Sequence, residues 1–256
     1  MPDRSIASLL LPVALALVLA AACGAPKKPP VDPKFQMQQQ VRLAESYFHA
    51  GRVSEALDVL TATIEKNPDD ASLRNYYGQL CFLAGRNADA EAAFKKALEL
   101  DPYMTDAHNN LGSVYDATGR KQMAEEEYKT ALKDAAYPTP EKVYLNLGLL
   151  YESQGRTDEA IAELRRSVEI NPKYYRGHYE LASALDSTGK LDEAAREYEV
   201  AAPDYKAVGQ YQYRLGLVYM KLDQPSKARD HFMRCTEISP GSEDASKAYD
   251  LLKMLP

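Results

Sequence analysis

Residues 145–164 read LNLGLLYESQGRTDEAIAEL. Leu147, Gly148 and Tyr151 fall on one face of a helix at about 100° per residue. Gly155 interrupts that pattern, and Ala160 and Leu164 resume it. The spacing predicts a helix, a turn and a second helix packed back on the first. Small residues at 148 and 160 let two antiparallel helices approach closely. Gly155 closes the first helix, because a positive φ is cheap only for Gly. Leu164 and Val168 are expected to face the next helical pair, and Pro172 stops the second helix by pushing its predecessor out of the α region.

The same offsets return along the chain. They appear in NYYGQLCFLAGRNADAEAAFKKALELDP (75–102), HNNLGSVYDATGRKQMAEEEYKTAL (108–132) and HYELASALDSTGKLDEAAREYEVA (178–201). Weaker copies are RLAESYFHAGRVSEALDVLTATIEKNP (42–68) and YRLGLVYMKLDQPSKARDHFMRCTEISP (213–240). The copies give segments 37–70, 71–104, 105–140, 141–174, 175–208 and 209–242, the third being two residues longer. Ala44 and Ala182 replace the packing Gly, and Asp223 stands where the last turn Gly is expected. Residues 243–256 read as a capping helix with Ser242 or Asp244 near its start. This pattern resembles a tetratricopeptide array. The resemblance implies an all-α fold, a superhelix of six helix-turn-helix repeats plus a C-terminal capping helix.

The N-terminus is of another kind. Residues 6–22, IASLLLPVALALVLAAA, carry no charge and follow Arg4, the pattern of a secretory signal. With Pro12 inside it, the run sits at the short end of the spanning range of about 17–25 residues. The following LAAACG resembles a bacterial lipobox, with Leu19 one place earlier than usual and Ala20 in its stead. That resemblance implies a signal peptide over 1–22 and a lipidated mature N-terminus at Cys23. Gly24 in place of Asp implies sorting to the outer membrane, facing the periplasm. Residues 23–36 then form a Pro-rich tether, of which GAPKKPPVDPK (24–34) spans roughly 30 Å when extended.

Composition excludes several functions. The 256 residues are 45% apolar, with a formal charge of -6, so a phosphate-neutralising basic face is not expected and no nucleic-acid partner is assigned. His108 and His178 occupy equivalent core positions in two repeats, while His49 and His231 lack partners at metal-ligand spacing. DSTGKL (186–191) fails as a phosphate loop, because Ala184 replaces the first Gly and Leu191 the Ser or Thr. Glu125, Glu126 and Glu127 read as a solvated helix face. Cys81 and Cys235 sit at core positions of distant repeats, so no disulfide between them is expected. The reading is of a non-enzyme with no catalytic, cofactor or metal residues.

A partner surface is expected on the first helices, opposite their core stripe. Those positions hold Val41, Phe48, Tyr76, Gln79, Phe82, Asn110, Leu145, Asn146, Leu149, Tyr179, Tyr213 and Leu217. Apolar side chains there are the anomaly. Asn110 and Asn146, at one repeat position, are suited to clamping a peptide backbone beside them.

Over about 35–256 the chain resembles the pilotin lipoproteins of type IV pilus systems (PilF/PilW/Tgl type). The resemblance rests on YPTPEKVYLNLGLLY (137–151), at the two-residue expansion, and on SPGSED (239–244). It implies a monomeric, non-catalytic outer-membrane lipoprotein that binds the secretin, the ring through which pili pass, and promotes its insertion or multimerisation. The alternative is a repeat scaffold for another envelope machine, in outer-membrane protein assembly or peptidoglycan turnover.

Overall fold

The first helix starts at an acidic cap: the Asp32 carboxylate accepts the Lys34 N–H at 3.0 Å, and Pro33 takes the first helical position. The computed structural model describes residues 32–256, so Cys23, the signal and most of the tether lie outside the described residues. Helix α1 spans Pro33–His49 and therefore begins inside the segment read as tether, because Asp32 and Pro33 together favour a helix start. The chain divides into two compact units, the second beginning at Leu60. In the first, α1 is followed by the start of α2 (Val53–Lys66), and the Arg52 guanidinium lies 4.3 Å from the centre of the Tyr47 ring.

The second unit continues α2 and adds helices in pairs. These are α3 (Ala71–Leu83) with α4 (Asn87–Leu100), and α5 (Thr105–Ala117) with α6 (Lys121–Ala131). Next come α7 (Pro140–Ser153) with α8 (Thr157–Ile170), and α9 (Tyr175–Ser187) with α10 (Leu191–Tyr205). The last pair is α11 (Gly209–Lys221) with α12 (Pro225–Ile238), closed by α13 (Glu243–Met254). Among the described residues there is no strand, and no helix is long and apolar enough to cross a membrane. Ser242, not Asp244, caps α13, its hydroxyl accepting the Ala245 N–H at 3.1 Å.

Each pair is set by two backbone requirements. The turn residue takes a left-handed conformation, φ +73° at Gly155, and Asp223 alone among the described non-glycine residues adopts it, at φ 54°. The packing glycine makes room for a large side chain sixteen residues later. A Cβ on Gly112 would lie 2.7 Å from the Tyr128 ring, and one on Gly148 would lie 2.7 Å from Leu164 Cγ. Leu164 thus packs against Gly148 within its own repeat and belongs to a core cluster shared with Leu181 and Leu185 of the next, while Val168 meets Gly177 of the following repeat. At the fifth repeat Ala182 replaces the glycine, and the Tyr198 hydroxyl is buried without a partner among the described residues.

The expected histidine core is polar. His108 Nδ1 lies 2.6 Å from Glu127 and Nε2 lies 3.1 Å from the Pro102 carbonyl. His178 repeats this with Glu197 and Pro172 at the same distances. In the sixth repeat the residues are exchanged: His231 faces Gln212 at 2.6 Å, and Gln212 donates to the Lys206 carbonyl at 2.7 Å. One side chain of the first helix thereby ties the second helix to the preceding turn. Glu127 and Glu125 are correspondingly not a free solvated face; of the three glutamates only Glu126 is fully exposed.

Candidate protein-binding cleft

Within the second unit the first helices α3, α5, α7 and α9 lie side by side. Polar side chains fix the spacing. Asn110 donates to Asn75 Oδ1 and Asn146 to Asn109 Oδ1, both at 3.0 Å. Each amide bond spans two successive first helices, so the expected clamp amides are partly used in holding the array. Further along, Arg214 donates to Ser183 Oγ at 2.9 Å and Lys221 to Asp186 at 2.5 Å, which links α9 to α11.

A cleft of about 240 Å³ opens on this face, lined by Phe82, Ser113, Asp116, Asn146, Leu149 and Arg176 among others. It is smaller than a typical small-molecule site of about 300–1,000 Å³ and is sized for one or two side chains. Phe82 and Leu149 supply apolar walls, Asn146 an amide with one N–H and its oxygen uncommitted, and Arg176 an exposed cation. Ser113 donates to the Asn109 carbonyl at 3.1 Å, so its proton points at a helix backbone and not at a base. Beyond Arg176, burial pushes the Glu180 carboxyl up, opposed by the charge of Arg176. The neighbouring Leu83 side chain is 69% exposed.

Of the predicted surface, Phe82, Asn146 and Leu149 meet in the cleft, whereas Asn110 is bonded to Asn75 and stands outside the cleft lining. Leu145 does not. It is buried to 1% within the core of the fourth to sixth repeats, because at its position α7 turns toward α8 and α9. Tyr179 stacks on Tyr205 at 4.5 Å and meets the edge of Tyr198, so its ring belongs to an aromatic cluster. Tyr213, 6.0 Å from Phe232, and Leu217 are likewise packed against the core. Tyr76 and Gln79 are half-buried on α3 outside the cleft lining, and Val41 and Phe48 are half-buried on α1 in the first unit.

Sequence reasoning missed Asp116 and Arg176. Both stand on the outward face of first helices, where a charged side chain carries no sequence signal of its own. Cys81 and Cys235 are each buried and free. Among the described residues no group of His, Cys, Asp and Glu is placed to hold a metal ion.

Tetratricopeptide-repeat family models match residues 41–105 and 145–208, residues 82–140, and residues 209–242. No curated protein sequence matches the chain significantly. Among solved structures, PilW, a type IV pilus biogenesis factor, aligns with TM-score 0.74 at 20% identity, over 83% of this chain and 98% of its own. PilF of Pseudomonas aeruginosa aligns with TM-score 0.75 at 18% identity, over 86% and 99%. YrrB, a repeat protein with an unusual peptide-binding site, aligns with TM-score 0.59 at 24% identity, over 75% and 97%. At these identities the alignments establish fold alone, and with the family matches they give the identification: the chain belongs to the tetratricopeptide-repeat family, whose fold typically serves as a protein-interaction scaffold.

Proposed function

We propose that this protein is a lipid-anchored, periplasm-facing outer-membrane scaffold that binds the secretin of a type IV pilus machine and promotes its insertion and multimerisation. The observation that carries the reading is the cleft: four successive first helices present apolar walls, an amide and a cation, in an array of the same extent as PilW and PilF. Supporting it, residues 1–22 have the composition of an export signal ending before Cys23. Lipidation of Cys23 would confine the cleft to the membrane where a secretin ring closes. The mechanism is holding, not turnover: an exposed secretin segment docks on the first helices until neighbouring subunits cover it.

The test is the amount of heat- and detergent-resistant secretin multimer in cells carrying the parent gene, Cys23→Ala or Phe82→Ala/Leu149→Ser. Multimer lost without the gene, and reduced by both variants at equal protein level, supports the reading. Unchanged multimer and surface pili would overturn it and leave a scaffold for another envelope machine.

A further inference from the structure

A second cavity, of about 430 Å³, lies between the end of α2 and the α3–α4 pair, away from the cleft. Its distinguishing feature is Arg74. In the third and fifth repeats the residue at this place on the first helix, His108 or His178, meets a carboxylate nineteen positions later, Glu127 or Glu197. In the sixth, Gln212 meets His231. In the second repeat the corresponding residue is Ala93, which carries no polar group. Arg74 keeps the other half of the motif, donating from Nη2 to the Pro68 carbonyl at 3.3 Å, six residues back as in the others. Its Nε is enclosed and has no acceptor among the described residues. Both Arg74 and Ala93 line the cavity.

We propose that this cavity binds a carboxylate supplied from outside the chain, whose oxygen takes the place that Glu127 holds in the third repeat. An enclosed guanidinium N–H without an acceptor is costly, and a carboxylate is its best-matched partner in charge and geometry. Ile64, Pro68 and Tyr77 give apolar walls for the carbon skeleton behind the carboxylate, while Lys96, also at the lining, is already paired with Glu99 at 2.7 Å. Two acids also line the cavity. Asp89 is engaged by Arg86 at 2.7 Å, and Glu65 is exposed, which disfavours a ligand with a second negative charge near it. The source is either an acidic side chain of a protein partner or a free monocarboxylate.

The experiment follows the Arg74 Nε–Hε resonance of the full chain in ¹⁵N spectra, titrated with sodium acetate and with the capped peptide acetyl-Ala-Glu-Ala-amide. The matching Gln peptide is the control. The expected result is a saturable shift with carboxylate, about ten-fold weaker with the Gln peptide, and absent in Ala93→Glu, which supplies the acid internally. Saturation by the Glu peptide well below the acetate concentration assigns a protein source; equal concentrations assign a small carboxylate. Should Ala93→Glu not fold, Arg74→Gln replaces it, with the carboxylate-induced rise in Tm as readout, present in the parent and lost in the variant. A resonance that neither probe moves, or a response unchanged in both variants, overturns the proposal.

Discussion

Arg156 Nη1 donates to Glu125 Oε2 at 2.7 Å across the joint between the third and fourth repeats, and Arg120 reaches Glu91 at the same distance one joint earlier. Each arginine follows a turn glycine and lies over the tyrosine in the last turn of the preceding helix, 3.9 Å from the Tyr151 centre for Arg156 and 4.5 Å from Tyr115 for Arg120. The glycine thus does more than end a helix: it aims the next side chain at the preceding repeat.

These joints make the array acid-sensitive. Arg120 first, then Lys95 against the cost of burial, hold the Glu91 carboxyl down to about 2; at Glu125 burial raises it, but Arg156, Lys129 and Tyr151 together hold it down to about 2. A depressed folded value gives stability that is present above the ordinary value of 4.5 and is lost as pH falls through about 2. The parent should lose stability over that window, and Glu91→Gln/Glu125→Gln should lose about 1 kcal/mol less per site, allowing for solvent screening. Urea midpoints measured against pH test this, and parallel curves for parent and variant would refute it.

Leu145 and Asn109 hold equivalent places, yet only Asn109 finds an amide, that of Asn146, on the next first helix. Across from Leu145 the corresponding residue is Glu180, which cannot donate. Leu145 is buried there instead, so Leu145→Ala should lose packing within the core of the fourth to sixth repeats and cost about 2–4 kcal/mol. Denaturant unfolding decides it. A change under about 0.5 kcal/mol, as for an ordinary surface substitution, would restore Leu145 to the surface.

The repeat was legible because its signals are local. Leu147, Gly148 and Tyr151 name a helix face, and Gly155 its end, without reference to anything distant. What escaped depends on the neighbouring repeat. The roles of Leu145 and Tyr179 are decided by which side chains α9 and α10 bring against them, and a surface position in one repeat becomes a core position in the next. The polar use of His108 is hidden for the same reason, since Glu127 is nineteen residues away and the Pro102 carbonyl carries no sequence signal. Phe82, Asn146 and Leu149 were found because large or amide groups on an outward face stand out; Asp116 and Arg176 were not, because charges there are unremarkable.

Asp223 holds φ 54° at the turn where every earlier repeat has glycine. A Cβ in the left-handed region costs about 1–2 kcal/mol, part of which is recovered because Gly is freer when unfolded. Asp223→Gly should raise stability by about 1 kcal/mol, or about 2–4 °C in Tm for a chain of this size. A fall in Tm would show that the Asp223 side chain makes a contact worth more than the strain.

His108 gives the opposite pH signature to the glutamates. Both of its ring nitrogens face acceptors, Glu127 at 2.6 Å and the Pro102 carbonyl at 3.1 Å, and only the imidazolium donates from both. The Glu127 hydrogen bond chiefly, with the Pro102 carbonyl, raises its folded value above 6.5, against burial and the charge of Lys133. A raised folded value gives stability that is complete below 6.5 and disappears as pH rises through the folded value. The parent should lose stability on passing from slightly acid to slightly alkaline buffer. His108→Gln, which copies the residue at this place in the sixth repeat, should be flatter over the same range. Thermal unfolding across that range, paired with the His108 ring titration by NMR, gives the answer. A folded value below 6.5, or an equal slope in parent and variant, would mean the ring binds as neutral imidazole and one of its two acceptors goes unpaired.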